Sequence, residues 1–126
     1  MKKIIVTDKA PGAVGPYSQA VQVGGFLFAS GQIPLDPATG RMVTGSIEDE
    51  TRQVFENIKG LLESAGYTLQ HVVKSLVFVT DMNDFAAING IYAQYFAENP
   101  PARSFVAVKD LPKGARVEIE VVAWKD

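Results

Sequence analysis

The apolar positions change period several times along the chain, and each change marks an element. Lys2–Thr7 carries a short apolar run and reads as a strand. Pro11, Gly12, Gly15 and Pro16 punctuate a loop over residues 8–19. Ala20–Val23 and Phe26–Ser30 then flank Gly24-Gly25, the pattern of two strands joined by a tight hairpin. Gly31 to Gly45 is irregular, with Pro34, Asp36-Pro37 and Thr39-Gly40 each favouring a turn for its own backbone reason. From Ser46 the period becomes helical: Ile47, Val54, Phe55, Ile58, Leu61, Leu62 and Ala65 share one face. Ser46 supplies a cap, Glu48, Asp49 and Glu50 suit the positive end of the helix dipole, and Gly66 ends the element. Val72–Thr80 is apolar at both alternating sets of positions, so a strand buried on both faces is expected. Asp81-Met-Asn-Asp84 caps a second helix, Phe85–Phe96, with Phe85, Ile88, Tyr92, Tyr95 and Phe96 inward, and Pro100-Pro101 stops it. Arg103–Val108 and Val117–Trp124 close the chain as strands around a turn at Pro112-Lys113-Gly114.

This order predicts an α+β fold, a sheet with two helices on one face. In Phe26–Ser30, Phe26 and Phe28 alternate with Leu27 and Ala29, and Val72–Thr80 is likewise apolar on both faces, so a monomer would leave one apolar sheet face wet. A homo-oligomer with the bare sheet faces packed together is the expectation. The length of 126 residues suits one domain spanning 1–126, and 47% hydrophobic with 21% charged residues is an ordinary globular balance. The chain has no cysteine and one histidine, His71, which removes thiol chemistry, multi-histidine metal sites and thiolate ligands. His71, between Gln70 and Val72, has no acid or serine at suggestive spacing, so a catalytic role for it is disfavoured. A net charge of −2 weighs against a nucleic-acid partner. No run approaches a membrane span or a signal peptide, so a cytoplasmic location is expected.

The remaining chemistry falls to carboxylates, hydroxyls, arginine and backbone. In the last strand Val117, Ile119, Val121 and Ala123 share one side while Glu118, Glu120, Val122 and Trp124 share the other. If that second side lies against another subunit, each acid needs a partner or a task. Arg103, at a rigid loop-to-strand junction after Pro100-Pro101-Ala102, can either pair with Glu118 or Glu120 or grip a ligand carboxylate through its planar fork. Tyr17 and Ser18 in the first loop, and Ser30-Gly31-Gln32 at a strand end, read equally as binding groups or as turn chemistry. Asn89, a poor residue for a helix interior, either faces a polar site or is solvated.

Gly15-Pro16-Tyr17-Ser18-Gln19-Ala20, Ser30-Gly31-Gln32-Ile33-Pro34, Thr51-Arg52-Gln53-Val54-Phe55-Glu56-Asn57-Ile58, Pro101-Ala102-Arg103-Ser104 and Val117-Glu118-Ile119-Glu120-Val121 stand in the order and spacing of the RidA (YjgF, L-PSP) family. The chain resembles that family over essentially its whole length. The resemblance implies a chorismate-mutase-like α+β fold assembled as a homotrimer around a central β-barrel, with sites in the clefts between subunits. It implies cofactor-independent hydrolysis of reactive enamines and imines, such as 2-iminobutanoate and 2-iminopropanoate, to 2-oxo acids and ammonia. Pyridoxal-phosphate enzymes such as threonine dehydratase would supply those substrates.

Carried over to this chain, the resemblance makes Arg103 the carboxylate clamp, Glu118 the acid that positions water, and Tyr17, Ser30 and Gly31 cleft-lining groups, with Asn89 a further site position. Many members carry a cysteine where Phe105 stands here, on the same side of the strand as Arg103, so the cleft should be narrowed or reshaped. The competing expectations are an endoribonuclease or translation inhibitor, and a holdase-like or regulatory binding protein without catalysis.

Overall fold

A computed structural model describes the whole chain, Met1 to Asp126. Six strands form one mixed sheet in the order β1 (Lys3–Ile5), β2 (Ala20–Val23), β3 (Phe26–Ala29), β8 (Val117–Trp124), β6 (Val72–Val79), β7 (Ala102–Ala107). All neighbours run antiparallel except β6 and β7, which are parallel and joined through α2 (Phe85–Tyr95). A parallel pair needs such a crossover, and this one carries β7 to the sheet edge. Within the irregular stretch, β4 (Leu35–Asp36) and β5 (Arg41–Met42) form a separate small hairpin. It was invisible as alternation because each strand has only two residues.

Helix α1 (Ile47–Ser64) begins as expected, with Ser46 Oγ accepting from the Asp49 N–H at 3.0 Å. It ends at Gly66, whose φ of 82° is left-handed backbone that glycine adopts without strain. Its apolar face packs with α2 and with the inward residues Leu27, Val77, Val79, Val117, Ile119 and Val121 as one core. Phe55 sits at the junction, stacked on Tyr95 at 4.5 Å and edge-on to Tyr92 and Phe96.

Two expectations fail in the isolated chain. The strand over Val72–Thr80 is not buried on both faces: Ser75, Val77 and Val79 lie under the helices, while Leu76 and Phe78 are half-exposed opposite them. Phe85 is not inward, and Ile91 takes a core place instead. Helix-free and apolar, the far face of the sheet exposes Ile4, Val23, Phe26, Phe28, Val106 and Trp124 at 41 to 48% each. Single exposed apolar side chains are common, but this many on one sheet face make a surface that a lone monomer rarely carries.

Candidate functional site

Register decides where the candidate residues lie. Arg103 pairs with Ser75 and Phe105 with Val77, so both point to the helix-covered face. Glu118 pairs with Phe78 and Glu120 with Leu76, so both acids point to the bare face. The sheet therefore stands between Arg103 and Glu118, and the sequence-based possibility of an Arg103 ion pair with either acid is not realised. The chain's ion pairs are Lys59–Glu56 and Arg116–Glu50, which leave Arg103 and Glu118 without a charge partner.

On the bare face, the loop and the strand ends build a cleft of about 410 Å³ lined by Tyr17, Gln19, Ser30, Gly31, Lys113 and Glu118 among others. Gln19 is buried and pins the first loop: its side chain accepts from the Thr7 N–H at 2.9 Å and donates to the Pro11 carbonyl at 2.8 Å. Ser30 Oγ donates to the Ser18 carbonyl at 2.6 Å, so this hydroxyl is spent on holding the loop that presents Tyr17. Gln32 and Ile119 exchange backbone hydrogen bonds of 2.9 and 3.1 Å, which lays Gly31 directly against Glu118. A methyl group at Gly31 would overlap Glu118 Oε2 and come within 2.8 Å of its Cδ, so only glycine leaves the carboxylate its place. Burial, reinforced by the Glu120 charge, pushes the Glu118 carboxyl above its ordinary range. A carboxyl so shifted keeps its proton to higher pH than an ordinary carboxylate and is a candidate for proton transfer.

On the helix face, Arg103 is held without any acid. Nη1 donates to Asn89 Oδ1 at 2.7 Å, which explains an asparagine inside α2. The guanidinium carbon lies 4.7 Å from the Tyr92 ring centre, 5.2 Å from Phe105 and 5.8 Å from Phe85. Tyr92 is fixed in turn by a 2.7 Å hydrogen bond between its hydroxyl and Ser75 Oγ, both buried. Burial pushes the Tyr92 hydroxyl up, against the opposing effects of Ser75 and the Arg103 charge. The sequence pattern gives Tyr92 an ordinary inward position and passes over Ser75, and only the parallel register opposite Arg103 brings them to the site. His71 is structural: Nδ1 accepts from the Thr68 N–H at 2.9 Å.

The candidate residues thus fall into two groups, one on each face of the sheet. One face offers a fixed cation whose remaining donors suit a carboxylate, and the other offers a raised carboxyl beside a hydroxyl in a cleft. No cluster of His, Cys, Asp or Glu suits a metal ion, and no helix is long and apolar enough to cross a membrane.

The fold and these motifs have close counterparts. A RutC family protein of Pyrococcus horikoshii is 56% identical over 126 residues, covering 100% of both chains. The human 2-iminobutanoate/2-iminopropanoate deaminase is 48% identical over 123 residues, 98% of this chain and 90% of its own length. Among solved structures, E. coli TdcF with bound serine superimposes with a TM-score of 0.94 at 44% identity, covering 98% of this chain and 99% of that one. RidA from an Antarctic Psychrobacter gives 0.94 at 47% identity with the same coverage. The profile described as Endoribonuclease L-PSP matches residues 7–125, and the chain belongs to that family, the RidA family.

Proposed function

We propose that the protein hydrolyses 2-imino acids such as 2-iminobutanoate and 2-iminopropanoate to 2-oxo acids and ammonia, at clefts shared between neighbouring copies in a homotrimer. The observation that carries this reading is Arg103, a cation fixed by Asn89 and Tyr92 yet left with no acid of its own. Removing an ion from water with no partner is costly, and a substrate carboxylate supplies that partner. The names of the human relative and the serine bound to E. coli TdcF, itself an amino acid with a carboxylate, agree with it.

On this reading neighbouring copies pack through their bare faces, and the sheet edge formed by β7, which carries Arg103, lies against the cleft of the next copy, so that the Arg103 half of one meets the Glu118 half of the other. Arg103 holds the imino acid by its carboxylate and so turns a chance encounter into a positioned one. Glu118 accepts a proton as a water oxygen bonds to C2, and the C=N π pair moves to nitrogen. That proton passes to the nitrogen and gives a carbinolamine; Glu118 then relays the hydroxyl proton to the same nitrogen while the oxygen lone pair forms the C=O bond and the C–N bond breaks, so that ammonia leaves a 2-oxo acid. Tyr17 completes the water's hydrogen bonds, Gly31 keeps room for the Glu118 carboxylate, and Ser30 holds the loop that carries Tyr17. No cofactor enters these steps. Pyridoxal-phosphate-dependent dehydratases are the natural source of the substrates.

The test adds the protein to a dehydratase reaction and follows imine decay and ammonia release, alongside Arg103→Ala. Wild-type protein that leaves imine decay unaccelerated defeats the proposal. RNA cleavage that persists in Arg103→Ala would favour the nuclease of the family's description instead.

A further inference from the structure

The helical pattern assigns Phe85 to the core, yet it is 39% exposed. It turns toward Phe105, with ring centres 4.7 Å apart and an interplanar angle of 62°. Phe105 is itself only half-buried. Both rings lie within 5.8 Å of the Arg103 guanidinium carbon, so together they make an apolar wall that starts at the cation and continues to solvent. Neither ring is needed to fix Arg103, because Tyr92 stacks closest and Asn89 takes one donor. The Asn89 amide oxygen beside the cation is already engaged by Nη1. A charged anchor bordered by contiguous exposed apolar area is the make-up of a small-molecule subsite.

We infer that Phe85 and Phe105 form the side-chain subsite of the imine site, and that the protein prefers 2-imino acids with bulky apolar or aromatic side chains over the smallest ones. This rests on the carboxylate-anchoring role proposed for Arg103. A carboxylate on the guanidinium places C2 beside the cation and directs the following carbons along the rings. A methyl group reaches only the near edge of the wall, whereas a phenyl or isobutyl group covers it. An aromatic contact of ordinary strength adds about three- to tenfold in affinity, and two rings are available.

Binding and turnover are measured separately so that the subsite and the chemistry fail independently. Calorimetric titration with pyruvate and 3-phenylpyruvate is expected to show the aromatic 2-oxo acid binding about tenfold or more tightly. Phe105→Ala and Phe85→Ala, each checked for native circular dichroism, should reduce that ratio to about twofold through lost phenylpyruvate affinity, and Phe105→Leu to an intermediate value. Imines generated from alanine and phenylalanine by an amino-acid oxidase should show the same ordering in kcat/KM. Equal affinities in the wild type, or a ratio that rises in Phe105→Ala because the ring blocks larger groups, overturns the inference. Discrimination between the oxo acids without acceleration of either imine would keep the subsite and remove the deaminase reading. Failure to bind either acid removes the anchor and the subsite together.

Discussion

If the halves of the site meet only between copies, two inactive variants should restore each other. Arg103→Ala removes the carboxylate clamp and Glu118→Gln removes the proton acceptor, and the register places these losses on opposite faces of one sheet. Each charge-assisted hydrogen bond lost with Arg103 is worth about 1.5–3 kcal/mol, so two of them reduce kcat/KM by about two to four orders of magnitude. A shared site draws its arginine half from one copy and its glutamate half from the next. In an equal mixture of the variants each half is intact in about half of the draws, so about one site in four is whole, whatever the size of the closed ring. The assay refolds the two variants together, confirms mixed assemblies by native mass spectrometry, and measures imine hydrolysis per chain. About a quarter of wild-type activity is expected, against a background near zero for the variants refolded apart. Mixed assemblies no more active than the separate variants would show that both halves serve a site within one chain.

Further outcomes follow from the same geometry. Gly31→Ala displaces the Glu118 carboxylate and should lower kcat by about a hundredfold while the melting temperature barely moves. Glu118 has a raised carboxyl pKa, so the native state binds more protons than the unfolded one just above the ordinary carboxylate range. Stability therefore falls as pH rises through that window, and Glu118→Gln should abolish that fall and melt higher than wild type at neutral pH while losing activity. Arg116 pairs with Glu50, whose exposure is 5%. Arg116→Met leaves that carboxylate unpaired and should cost about 2 kcal/mol in urea denaturation. Phe28→Asp places a charge in the bare face and should shift sedimentation toward monomer without loss of the helical circular dichroism.

The elements were legible wherever a local rule was strong. The Gly24-Gly25 hairpin, the Ser46 cap and the two-sided pattern of Val117–Trp124 stand as the residue spacing implies. Phe85 deceived because it sits in the first turn of α2, where the helical period matches but the core has already ended. Arg103 and Glu118 could each be assigned a side of its own strand, but not sides relative to one another. That relation depends on the pairings of β6 with β7 and with β8, which are long-range facts. For the same reason Asn89 was an oddity until Arg103 appeared across from it.

The bare sheet face also has a thermal meaning. If copies pack through Phe26, Phe28, Val106 and Trp124, the assembly draws its strength from apolar burial, which weakens on cooling, whereas each chain's own fold is also held by backbone hydrogen bonds. Such a seal loosens in the cold before the fold does. Chilled, dilute protein would therefore come apart into folded copies and knit together again on warming.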